Sequence, residues 1–158
     1  MRIRRAVETD IDGAVDLAER RRLEDQLHQP VFWRKAADSA ASTGNFFRTL
    51  LAEEETIFLV ATVGHRLRGF LIARQFPAPP VYAPGGSTWC IDDFCVADPT
   101  EWQTGGRALL AEASSLLEAR GAAQIVVVCG NHDRPKTELL EAAGLSIASN
   151  WWTRPLVE

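Results

Sequence analysis

The sequence predicts an α/β domain with a mixed sheet, and three observations carry that expectation. Two apolar, β-branched runs at 57–63 and 67–73 flank Gly64-His65 and read as an antiparallel hairpin. Residues 87–97 (Ser-Thr-Trp-Cys-Ile-Asp-Asp-Phe-Cys-Val-Ala) form a strand bounded by Pro84-Gly85-Gly86 and Pro99. From Arg107 onward, Leu109, Ala113, Leu116 and Leu117 recur at three- and four-residue spacing, so a helix follows and stops at Gly121.

The remaining elements follow in order. Residues 2–6 form a first strand. Thr9 or Asp10 caps a helix whose Ile11, Ala14, Val15, Leu17 and Ala18 lie on one stripe and which fades near Pro30. Its Arg20-Arg21-Arg22 triplet reads as a solvated face. Residues 32–55 give a loose stretch and then a helix with Phe46, Phe47, Leu50 and Leu51 on its apolar side. Residues 76–86, with Pro77, Pro79, Pro80 and Pro84, make a stiff loop that carries Tyr82, the chain's one tyrosine. Residues 123–129 form a valine-rich strand suited to burial on both faces. A short helix at 136–143 ends at Gly144, and residues 145–153 form a last strand. The expected order is β-α-α-β-β-β-α-β-α-β in one domain spanning 1–158, with a right-handed parallel β-α-β unit at 87–129.

Composition narrows the function. At 158 residues, 46% hydrophobic and 24% charged, the chain is long enough to bury a core. A net charge of −4 points away from nucleic acid. The sequence shows no secretory signal and no transmembrane run, so no membrane partner is expected. Three cysteines without framework or Cys-x-x-Cys spacing imply reduced thiols, a cytoplasmic location and no bound metal.

Two features carry chemistry. Gly105 and Gly106 lie between the central strand and its helix, where unpaired N–H groups and the positive dipole end would make an anion seat; the alternative is a plain tight turn. Asp92 and Asp93 interrupt an otherwise apolar strand, as a general base in a cavity would, or as an aspartate hydrogen-bonded to a loop. Strand alternation sets Asp93 with Ile91 and Cys95, facing the cavity. It sets Asp92 with Phe94 and Val96, anchoring a buried hydrogen bond. A β-bulge would reverse those faces.

In its element order, in Val96-Ala97-Asp98-Pro99 closing the central strand, in Gly106-Arg107-Ala108-Leu109-Leu110 opening the helix, and in the last helix with its alanine-glycine end, the chain resembles the GNAT superfamily of acetyl-CoA-dependent N-acetyltransferases. The resemblance covers nearly the whole length. Of the family's Gln/Arg-x-x-Gly-x-Gly/Ala pyrophosphate loop, Gly106 matches, while Glu101 and Thr104 stand at the other marked positions.

The resemblance implies transfer of an acetyl group from acetyl-CoA to the primary amine of a small molecule or peptide; the alternative is a non-catalytic acyl-CoA-binding or protein-interaction module. It also implies that backbone groups of Phe94, Cys95 and Val96 pair with the pantetheine arm and hold the thioester oxygen. Gln103, Thr104, Gly105, Gly106 and Arg107 would take the pyrophosphate, and Asn131, or Asp133 by the count back from Gly144, would touch the cofactor. A carboxylate introduced at Gly106 is then expected to repel the pyrophosphate and leave the fold intact. The family's acidic tyrosine falls on Leu140, which leaves Tyr82, or less directly His132, to protonate the leaving thiolate; the alternative is that Tyr82 only packs and His132 is only solvated. Trp151 and Trp152 would alternate on the last strand, one in the core and the other forming an acceptor wall or a homodimer contact.

Overall fold

The computed structural model describes residues 1–156. One five-stranded sheet runs in the order β1 (Arg2–Arg5), β2 (Ile57–Val63), β3 (Arg66–Gln75), β4 (Ser87–Val96), β5 (Ala122–Val127). All neighbours are antiparallel except β4 and β5, which are parallel and joined through α3 (Arg107–Ala119). Helices α1 (Ile11–His28) and α2 (Ser39–Ala52) cover one face, and α3 with α4 (Arg134–Ala142) the other.

Period-two alternation sorts the core. Phe58 and Val60 of β2 and Phe70 and Ile72 of β3 pack with Phe47, Leu50 and Leu17 under α1 and α2. Ile57, Leu59, Leu71 and Ala73 pack with Leu109, Leu117 and Leu139 under α3 and α4. Both faces being covered, β2 is buried from Ile57 through Thr62, which is why it reads as a continuous apolar run. The hairpin turn at Gly64 has φ 59°, a left-handed conformation that glycine adopts at little cost.

Three expectations need correction here. Neither Thr9 nor Asp10 caps α1 through its side chain, because a 3-10 turn at Glu8–Asp10 precedes the helix. The Asp10 carboxylate instead accepts from both Arg4 nitrogens at 2.6 and 2.8 Å and from the Val7 amide at 2.8 Å. Strand β5 is not buried on both faces. It is an edge strand, unpaired on its outer side among the described residues, and Ala123, Gln124 and Val126 are exposed. The last strand at 145–153 is not formed either, and Trp151 and Trp152 are exposed at 82% and 93%, so neither joins the core.

The Arg4–Asp10 pair gives a pH-dependent stability. Arg4 holds the Asp10 carboxyl below its ordinary value, mainly through its hydrogen bonds. A depressed native pKa contributes stability above the unfolded value of 3.8, and that stability is lost as pH falls through the native value. Asp10→Asn should therefore cost about 2 kcal/mol at pH 7, where charge-assisted hydrogen bonds are lost. Urea unfolding of both proteins should show that cost shrinking as the pH drops below 3.8. A cost that is the same at pH 7 and in acid would contradict the assignment.

Candidate active site

The site is built where β4 changes its relation to its neighbours. Opposite β3, Leu71 faces Phe94 and Ala73 faces Ile91, so β4 carries one extra residue at Asp92–Asp93. This bulge breaks alternation: Ile91 and Phe94, three residues apart, both enter the core under α3, while Cys95 enters the other. At the same point β4 and β5 part. Their pairing runs from Ser87–Ala122 to Ile91–Val127, with a last bond from the Val128 amide to the Ile91 carbonyl. Beyond Ile91, the β5-facing edge of β4 has no strand partner among the described residues.

The backbone in this gap sorts the three expected cofactor contacts. Ala97 donates to the Arg68 carbonyl on β3, so by alternation the Cys95 amide also faces β3, and Phe94 and Val96 turn theirs toward the gap. Cys95 therefore contributes no gap-facing backbone group. Its thiol is buried, which pushes its pKa up to about 12.

The bulge separates the two carboxylates. Asp92 is exposed and anchors no hydrogen bond, contrary to the buried role that simple alternation assigns it. Asp93 turns inward, with 23% of its side chain accessible and its Oδ1 3.7 Å from Arg22. Burial pushes its carboxyl up to about 6; Arg22 opposes that shift and Asp92 reinforces it.

Arg22, missed as a site residue, also donates to the Thr43 hydroxyl at 2.6 Å and pairs with Glu19 at 3.0 Å. Arg21 lies 2.8 Å from Asp133 and 3.3 Å from Asp25. Of the arginine triplet, only Arg20 is the solvated residue expected. The signal lay in the spacing, since Arg21 and Arg22 follow Leu17 and Ala18 by four residues and share their inward stripe.

Gly105 and Gly106 do not form a tight turn ahead of the helix. The chain turns helical at Pro99, passes through a π-helical turn at Trp102–Gly106, and enters α3 without a break. The Arg107 amide donates back to the Trp102 and Thr104 carbonyls, and Gly106 has ordinary right-handed helical angles. The true helix start is capped by Asp98, which accepts from the Thr100 amide at 2.9 Å, so a carboxylate already sits on the positive dipole end. Glu101 is held by Arg68 at 2.8 and 2.9 Å.

Gly106 is a glycine for packing, whereas Gly105 faces only the flexible end of Met1. A Cβ on Gly105 would meet Met1 Sδ at 2.6 Å, and one on Gly106 would meet the Trp102 ring at 2.7 Å. Gln103, Thr104 and Arg107 remain exposed, with Arg107 donating to Gln103 at 2.7 Å.

The second missed residue is Lys136, 3% exposed. Its Nζ donates to the Phe94 carbonyl at 3.2 Å, inside the gap, and lies 5.1 and 5.3 Å from the centres of the Phe94 and Trp102 rings. The sequence signal was a lysine four residues before Leu140, on the buried stripe of α4.

The other candidates lie apart. Asn131 is exposed in the turn after β5. His132 stacks on His28 at 4.3 Å and lies 3.3 Å from Asp25; burial lowers its pKa. Tyr82 projects from its loop at 70% exposure and joins none of the hydrogen bonds or ring contacts around Asp93. Tyr82→Phe should accordingly keep the wild-type rate of thiol release within about twofold, since its hydroxyl lies apart from Asp93. A drop of tenfold or more would return Tyr82 to the mechanism.

The sequence matches no protein-family model and no curated protein. Solved structures do match it over nearly their whole length. The BH1408 protein of Bacillus halodurans superposes with a TM-score of 0.83 at 19% identity, covering 99% of this chain and 100% of that one. A predicted acetyltransferase of Clostridium acetobutylicum, solved with acetyl-CoA, gives 0.73 at 18% identity over 98% and 96%. An aminoglycoside 6'-N-acetyltransferase of Acinetobacter haemolyticus gives 0.70 at 16% identity over 99% and 100%. The chain has the fold of the GNAT-type acetyltransferases. Among the described residues, no helix is long and apolar enough to cross a membrane and no side-chain group could hold a metal ion.

Proposed function

We propose that this protein is an N-acetyltransferase that moves an acetyl group from acetyl-CoA to the primary amine of a small molecule or peptide. The observation that carries the proposal is the bulge in β4. It sets a carboxyl with a pKa of about 6, Asp93, beside the point where β4 and β5 part.

The cosubstrate fits in part. Its pantetheine arm is an extended chain with amides, and the gap-facing groups of Phe94 and Val96 suit strand-like addition. Of the amides at 103–107, that of Arg107 is bonded back into the helical segment, and the exposed side chains of Gln103, Thr104 and Arg107 stand there to meet the pyrophosphate. Asp93, ionised above about pH 6, accepts the proton of the attacking amine, and a gap-facing amide of β4 takes the charge that develops on the thioester oxygen.

The helical 99–106 segment favours a second reading, a non-catalytic module on the same fold. Calorimetric titration with acetyl-CoA and a thiol-release assay over a panel of amines separate the two. Binding with amine-dependent release supports the enzyme. Binding without release from any amine supports the module.

A further inference from the structure

We propose that Lys136 protonates the departing thiolate, the role for which the chain has no tyrosine on α4; this inference rests on the acetyl-transfer reading above. Leu140 stands at the family's tyrosine position, and Lys136 is one helical turn earlier on the same buried stripe. Its Nζ already lies in the gap, on a carbonyl of the strand edge that would receive the thioester.

A buried ammonium normally needs a carboxylate, and among the described residues none lies within ion-pair distance of Nζ. It is held instead by one carbonyl and two aromatic faces. The titratable groups facing it are Cys95 and Asp93 from β4, Cys129 after β5, Arg21 and Asp25 from α1, and Asp133 at the start of α4. Burial is the leading influence and lowers its pKa, which makes the ammonium a stronger acid than a free lysine. A thiol with a pKa near 8.5 is then a better-matched acceptor.

The step balances. The amine nitrogen bonds to the acyl carbon and gives its proton to Asp93. The C–S bond breaks with its electron pair on sulfur, and sulfur takes the Lys136 proton. Asp93 then returns a proton to water and Lys136 regains one, leaving an amide and a free thiol with no redox change.

Leaving-group dependence tests the role. Lys136→Met should lower kcat/KM for acetyl-CoA about a hundredfold. With S-phenyl thioacetate, whose aryl thiolate departs without a proton, the loss should stay under about threefold, and the basic limb of the pH profile should vanish. Equal losses with both donors would overturn the role, because a structural defect does not discriminate between leaving groups. A readout without turnover is the Lys136 15Nζ resonance of the wild-type protein. It should move on adding CoA and stay in place on adding desulfo-CoA, and this comparison decides alone should Lys136→Met fail to fold. A resonance unmoved by CoA, while the Phe94 and Val96 amides respond, overturns the assignment and leaves acetyl transfer standing. Absence of thiol release by wild type from either donor overturns both.

Discussion

Asp93→Asn is expected to lower turnover about a hundredfold or more, the usual scale for losing a general base, while acetyl-CoA affinity barely changes. In wild type, kcat/KM should rise with pH through about 6 as the carboxyl ionises, and the variant should lack that limb. Asp92→Asn should be near neutral, because Asp92 is exposed. The same change should alter stability in the opposite sense to activity. A carboxyl whose native pKa lies above its unfolded value of 3.8 costs stability once it is forced to ionise. Wild type and Asp93→Asn should therefore differ little below pH 3.8, and the variant's relative gain should grow as the pH rises to about 6, reaching roughly 3 kcal/mol. Urea unfolding at pH 4 and pH 8, beside the rate profile, checks both halves. A variant that retains the acidic limb would remove Asp93 from the reaction.

Gly106→Asp should abolish the cooperative fold rather than repel a pyrophosphate from an intact protein. The new Cβ would lie 2.7 Å from Trp102 Cε3 and 3.2 Å from Leu139 Cδ2, and the carboxylate would be buried without a partner. Overpacking alone costs about 1–3 kcal/mol, and an uncompensated buried charge adds several more, comparable with the whole stability of a small domain. Circular dichroism and thermal unfolding of the variant give the answer. A folded Gly106→Asp that has lost only acetyl-CoA binding would restore the glycine turn as an anion seat.

The parts of the fold that follow from local pattern were legible in the sequence. The hairpin around Gly64, the run of β4 and the 3.6-residue stripe of α3 needed only periodicity and turn residues, and the structure has them within a residue or two. What failed depended on tertiary context. Alternation assigned Asp92 to a buried face because it assumes an unbroken ladder, and the bulge at Asp92–Asp93 is visible only against β3. The glycine pair looked like a phosphate turn because glycine is equally what the close approach of the Trp102 ring to Gly106 requires. The valine run of β5 matched a doubly buried strand in composition, yet its outer edge is open because residues 145–153 form no strand beside it. Lys136 and Arg22 were hidden by a general rule. Lysine and arginine are assigned to solvent by default, and only their place on apolar stripes marked them as inward-facing.

The claim at the centre of this account is that an acyl donor is held by the β4 edge, without the glycine segment. A backbone amide NMR titration of the wild-type protein with acetyl-CoA addresses it directly. The amides of Phe94 and Val96 should show the largest shifts on binding, larger than those of Gly105, Gly106 and Arg107 in the helical segment. Movement at 105–107 with β4 unperturbed would contradict it, as would the absence of any response at saturating acetyl-CoA.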